Sequence, residues 1–169
     1  MICYNGVGKD VIILKTKVLL FYLMLTIFSM TTVFAAAPSI TADKQYFDVS
    51  SGLHVQSGNV HIEHNGRVVT AGEAKTNLIE IWGSGGVTFT QDNIYFSGNS
   101  VYVYFPSHSA QIEDKVSFSR PGVQITADRV EFNWKTKVAA FNGNVQITQN
   151  GNSWTADSIS YNVISNTCY

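Results

Sequence analysis

The stretch VQITADRVEFNWKTKVAAFNGNVQITQNG, residues 123–151, decides the fold. Val123, Ile125 and Ala127 alternate with Gln124 and Thr126. After Asp128-Arg129 the phase slips by one, and Val130, Phe132 and Trp134 alternate with Glu131 and Asn133. An apolar period of two means strand rather than helix. A slip of one residue is what a β-bulge or a sharp corner produces. Lys135-Thr136-Lys137 reads as a turn. Val145 and Ile147 then alternate with Gln146 and Thr148, and Asn150-Gly151 closes the unit as a hairpin signal. Asn65-Gly66 carries the same signal earlier in the chain.

This unit repeats. Thr126-Ala127-Asp128 is echoed by Thr41-Ala42-Asp43, Thr70-Ala71-Gly72, Ser97-Gly98-Asn99 and Thr155-Ala156-Asp157, whose central positions step by 29, 27, 29 and 29. A second anchor, Gly143-Asn144-Val145, is matched by Gly58-Asn59-Val60, Gly85-Gly86-Val87 and Asp114-Lys115-Val116, with valines stepping by 27, 29 and 29. Two anchors keeping one spacing mark a genuine repeat. Beside the first anchor, one column reads Phe47, Thr76, Val103, Phe132 and Tyr161, and the next Val49, Leu78, Phe105, Trp134 and Val163. The alternate column, Tyr46, Lys75, Tyr102, Glu131 and Ser160, is polar or amphipathic. Stacked repeats therefore build an apolar stripe facing inward and a wet outer surface. The expected fold is all-β. Either a β-helix or an elongated antiparallel jelly roll suits the period, and the Asn-Gly hairpin signals favour the jelly roll.

The N-terminus reads as an export signal. Lys9, Lys15 and Lys17 precede an uncharged run from Val18 to Phe34, and Ala35-Ala36-Ala37 offers small residues for cleavage. Residues 1–37 are thus expected to leave as a signal peptide, with 38–169 as the folded domain; an uncleaved segment would instead tether the domain to the inner membrane. The full chain has a net charge of −1. Without Lys9, Lys15, Lys17 and Asp10, 8 basic residues face 11 acidic ones, a net −3. No basic patch interleaved with aromatics remains, so nucleic acid is not an expected partner. Cys3 departs with the signal and leaves Cys168 without an intramolecular partner.

Catalytic and metal chemistry find little support. His61 and His64, three apart on a strand, point to opposite faces, and His54 stands elsewhere; no metal or other cofactor is expected. No Gly-x-Ser-x-Gly elbow occurs. Asp43, Asp128 and Asp157 recur once per repeat, which suits a hydrogen-bonding role at a bulge better than an acid/base pair. Trp82, Trp134 and Trp154 are of a kind that stacks on sugars, but Trp134 falls in the apolar column. The chain is therefore not expected to be an enzyme.

Ile125-Thr126-Ala127-Asp128 followed by an alternating strand, and Gly143-Asn144-Val145-Gln146-Ile147-Thr148-Gln149, resemble the LptA/OstA-like family of periplasmic lipopolysaccharide (LPS) transport proteins. Ser57-Gly58-Asn59-Val60-His61-Ile62 repeats the second motif more loosely, and the resemblance covers roughly residues 39–165. It implies a jelly roll opened into a V-shaped trough whose apolar lining takes the acyl chains of LPS. It also implies head-to-tail assembly, with copies of itself or with other jelly-roll proteins of a transport bridge, by edge-strand addition in the periplasm. The lining expected on this basis is Phe47, Val49, Val60, Ile62, Leu78, Val87, Phe89, Val103, Phe105, Val130, Phe132, Trp134, Val145, Ile147, Ile159 and Tyr161. The sequence departs from the pattern at Asp114-Lys115, where Gly-Asn is expected. It also ends at Tyr169 within a fifth repeat, so a short trough or one completed by a partner is expected. A membrane-tethered docking component and an adhesive β-solenoid without lipid are the competing readings.

Overall fold

The computed structural model describes residues 39–169 except positions 65 and 78; the expected signal peptide, 1–37, lies outside the described residues. Their regular structure is entirely β: β1 (Ser39–Thr41), β2 (Lys44–Asp48), β3 (Leu53–His64), β4 (Arg67–Thr76), β5 (Glu80–Gln91), β6 (Ile94–Tyr104), β7 (Ser109–Arg120), β8 (Val123–Asn133), β9 (Val138–Gln149), β10 (Asn152–Asn162) and β11 (Thr167–Cys168). They form one 11-stranded sheet in chain order, with β1 and β2 pairing successive stretches of β3. Every pairing is antiparallel. This excludes the β-helix and gives the open antiparallel jelly roll.

Each long strand breaks near its middle, and the two sequence anchors are the two sides of that break. In β3, β5, β7 and β9 the ladder shifts at Gly58-Asn59, Gly85-Gly86, Asp114-Lys115 and Gly143-Asn144. All eight residues have positive φ, between 48° and 83°. Two left-handed residues in succession turn the strand sharply, which Gly and Asn tolerate best. Opposite them lie the Thr-Ala-Asp units. Asn59 Nδ2 donates to Asp43 Oδ2 at 2.9 Å, and Asn144 Nδ2 donates to Asp128 Oδ2 at 2.8 Å. The recurrent aspartates thus accept from an asparagine side chain across the corner. A Cβ on Gly58 or Gly143 would run into that same carboxylate. The β4–β5 corner uses backbone proximity instead: a Cβ on Gly72 would lie 3.0 Å from the Gly85 carbonyl oxygen.

Strand ends are set by two kinds of turn. On one side, two-residue turns such as Pro121-Gly122 and Asn150-Gly151 join β7 to β8 and β9 to β10; φ of 51° and 83° at Asn150 and Gly151 suits a tight hairpin. On the other side, Asp48, Asn77, Asn133 and Asn162 accept backbone N–H groups two or three residues ahead, as in Asn133 Oδ1 with Lys135 and Thr136, both at 3.0 Å. Such Asx turns end the strands before Val49 and Trp134. Before Phe105, where Tyr104 stands in the Asx position, the chain turns through a backbone bond from His108 N–H to the Phe105 carbonyl. Those three residues therefore lie in loops rather than in the strand column expected from alternation. Leu78, of the same column, lies outside the described residues.

The corner makes two predictions about stability. Gly143→Ala combines a left-handed φ of 78° with the Asp128 collision, and should cost about 2–3 kcal/mol. Lys115→Gly frees a side chain held at φ 57°, and should gain about 0.5–1 kcal/mol. Urea unfolding midpoints at constant m-value measure both.

Candidate functional site

The corners fold the sheet into two facing layers. The turn layer carries the strand halves that run to the two-residue turns, and the loop layer carries the other halves. Three ring pairs show the facing: Phe96 against Phe132 (5.7 Å), Phe118 against Phe141 (5.9 Å) and Phe118 against Tyr161 (5.2 Å). Cross-strand partners share a face, so register assigns the inner surface. In the loop layer it runs through Ile159, Phe141, Val130, Ile112 and Val101, with Tyr161, Ala139, Phe132, Ala110 and Val103 beside it. In the turn layer it runs through Ile147, Ile125, Phe118, Phe96, Phe89 and Val69 to Ile62.

The expected lining residues divide by burial. Val60, Val87, Val130, Val145, Ile147 and Tyr161 are sealed between the layers, while Ile62, Phe89, Val103, Phe132 and Ile159 are half-buried on the same inner faces. Phe47 is on the inner face opposite His54, with ring centroids 5.0 Å apart, yet it is 51% exposed. Trp134 packs from its loop against Phe105 and His108, and Val49 is open to solvent.

The interior is not uniform along the stack. From β6 to β10 it is filled by large side chains, including Phe96, Phe118, Phe141 and Tyr161. Towards β3 the enclosed cluster shrinks to Val60, Ala71, Ala74 and Val87. The inner surface there also turns polar, because the register places Gln56 opposite Ala74 and His54 opposite Thr76. Ile40 and Phe47 remain exposed at this end. The outer surface of the loop layer carries Tyr46, Lys75, Trp82, Tyr102, Gln111, Glu131 and Ser160, matching the alternate column. Tyr102 donates to Glu80 at 2.6 Å, which lowers the Glu80 carboxyl below its ordinary range and raises the Tyr102 phenol. Trp154 faces inward beside Ile147 on β10 and is 39% exposed. Among the described residues no group of three or more His, Cys, Asp or Glu is placed to hold a metal.

Opposite the corners, the layers form a mouth between the turns and the loops, and a polar network crosses it near β10. Arg120, at the end of β7 in the turn layer, donates through Nη1 to the Val163 carbonyl at 2.6 Å and to the Tyr161 hydroxyl at 3.3 Å. Tyr161 in turn donates to Asn166 Oδ1 at 2.6 Å, and Gln149 Nε2 donates to the Asn166 carbonyl at 3.3 Å. The sequence gives no sign of this network, since Arg120-Pro121-Gly122 reads only as a turn. Burial pushes the Tyr161 phenol above its ordinary value, and Arg120 pulls it part of the way back. The folded state thus holds this proton more tightly than the unfolded chain. Its contribution to stability is present below about pH 10, the unfolded phenol value, and is lost as pH rises through the folded value. Ring NMR shifts should show Tyr161 titrating above about pH 10, the ordinary phenol value, and later still in Arg120→Leu.

With this geometry in hand, known proteins supply the context. The model of the OstA-like protein family matches residues 57–169, more than half of the chain. No curated protein matches. The crystal structure of LptH from Pseudomonas aeruginosa, the LptA-homologous periplasmic component of the conserved lipopolysaccharide transport device, aligns with a TM-score of 0.51. The alignment has 13% identity over 57% of this chain and 76% of that one, a likeness of fold. The motif order, the open two-layered jelly roll and the family match agree: the chain belongs to the OstA-like protein family.

Proposed function

We propose that this chain is a periplasmic, non-catalytic carrier of lipopolysaccharide that takes acyl chains between its two layers. The observation that carries this reading is the unclosed apolar interior, whose inner face stays exposed at one end through Ile40 and Phe47. Closed sandwiches spend such a surface entirely on themselves. Here an acyl chain entering beside Phe47 would meet small side chains, Ala71, Ala74 and Val87, before the aromatic block. About twelve methylenes at ~0.8 kcal/mol each would return roughly 10 kcal/mol, enough to offset parting of the layers at this thinly packed end.

Assembly into a bridge by strand addition belongs to the same reading. β10 is paired to β9 along its length, but on its other side β11 covers only Tyr161 and Asn162 and Tyr169 bonds to Ser160. Among the described residues no strand pairs with Asn152 to Ala156 on that side, so this stretch presents its backbone groups to an incoming strand. The family match and the LptH-like fold support this placement in the periplasm.

Site-specific photocrosslinking in cells tests the cargo. Crosslinkers at Phe47 and Phe132 should yield LPS adducts, and one at the outward Glu131 should not. A folded, exported protein with adducts at neither inner position would overturn the lipid reading. Phe132→Asp, which sets a carboxylate against Phe96, should abolish the Phe47 adduct and cost on the order of 3 kcal/mol of stability.

A further inference from the structure

Arg120 is a cation in an unusual position. It lies on the inner face, paired with Val123, where its neighbours Phe118 and Ile125 are fully buried. Its Nη1 is held by a carbonyl and a phenol, neither of which carries a charge, and its Nε is buried with no hydrogen-bond partner. No acid pairs with it among the described residues, where the ion pair formed is Lys75 with Glu73. Arg67, which ends the corresponding inner row on β4, behaves differently. It turns its Nε to Gln91 at 3.1 Å, within its own layer. Arg120 instead reaches across the mouth and ties β7 to the end of β10.

A guanidinium whose Nε edge is unused is one bidentate partner short. An oxyanion supplies what a carbonyl cannot: two acceptors in the geometry of the fork and a compensating charge. We propose that Arg120 is a latch holding the mouth shut over the aromatic half of the trough, and that a phosphate on an amphiphile's headgroup releases it. The phosphate takes the guanidinium from the Val163 carbonyl. Val163 and Tyr161 then lose their tie to β7, the long 3.3 Å bond from Gln149 to the Asn166 carbonyl is left to hold the rim, and the layers part over Phe118 and Phe141. The phosphate stays at the rim while the acyl chains enter, so a single group reads charge and admits grease. This rests on the lipid-carrying reading above, but the latch itself can be tested without any lipid.

Cys168 is a built-in reporter. It pairs with Tyr161 in the β10–β11 ladder, packs against the core, and has its Sγ 3.9 Å from Gln149 Oε1. Its alkylation in the full-length chain, followed by mass spectrometry of its own peptide, measures opening of the mouth. Without ligand, Arg120→Leu should alkylate on the order of tenfold faster than wild type, the weight of one charge-assisted hydrogen bond. Arg120→Lys, which keeps the charge but not the fork, should also be faster and secures the result if the leucine variant unfolds. Equal basal rates in wild type and folded variants would overturn the latch, whether or not the protein carries lipid. In wild type, LPS should accelerate alkylation, whereas phosphate-stripped LPS and inorganic phosphate should not. Equal acceleration by stripped LPS would overturn the phosphate trigger, and acceleration by inorganic phosphate alone would overturn the headgroup as its source. Fast variants combined with no crosslinking to LPS would leave the latch standing and remove the lipid reading beneath its trigger.

Discussion

The paired left-handed residues at the middle of β3, β5, β7 and β9 are the constraint on which everything else depends. A strand of 12 residues such as β9 would otherwise extend for about 40 Å as one strand of a flat sheet, with a wide apolar face in water. Two consecutive positive-φ residues break it into halves that face each other, and the same break recurs strand after strand. The interior exists because the corners line up. In this arrangement the aspartates of Thr-Ala-Asp are not independent of Gly-Asn: Asp128 accepts from Asn144, and Gly143 has no Cβ because the Asp128 carboxylate needs that space.

Asp114-Lys115 shows that the backbone shape outranks its preferred residues. Both positions hold the left-handed conformation without a glycine, at a local cost of about 1–2 kcal/mol each. The flanking Ile112 and Val116 are buried in the largest core cluster, and that burial offsets the strain. The partner strand makes a matching concession, since a Cβ on Gly98 would strike Ile112 and approach the Glu113 carbonyl oxygen at 3.1 Å.

Much of this was legible from residues. The repeat, the slip at Asp128-Arg129 and the inward placement of Val60, Val87, Val130, Val145 and Tyr161 follow from period-two alternation, which register in the structure obeys. Alternation fails where the chain reverses. Val130, Phe132 and Trp134 keep the period through the end of β8, although Asn133 has already begun the turn that puts Trp134 in a loop. A third anchor was present at Asp48, Asn77, Asn133 and Asn162, but it is a single residue whose followers vary and whose place is taken by Tyr104 in the third repeat. The mouth network is illegible for another reason. Arg120 and Val163 lie 43 residues apart, and no local pattern registers a bond of that range.

The same inner surface cannot serve equally as a protein core and as a lining for something else, and the two demands are separated along the stack. From β6 to β10 the aromatic rings fill the space between the layers, so that part serves as the protein's own core. From β3 to β5 the enclosed residues are alanine and valine, Gly83 is buried with Val101 filling the place of its missing side chain, and Gln56 and His54 enter the inner face. Fewer buried apolar contacts mean a smaller free energy of local opening. The layers therefore separate most cheaply where Ile40 and Phe47 are already exposed and most dearly where Phe118 meets Tyr161. An apolar guest meets a graded resistance along one continuous surface, set by side-chain volume on a backbone that hardly changes from repeat to repeat.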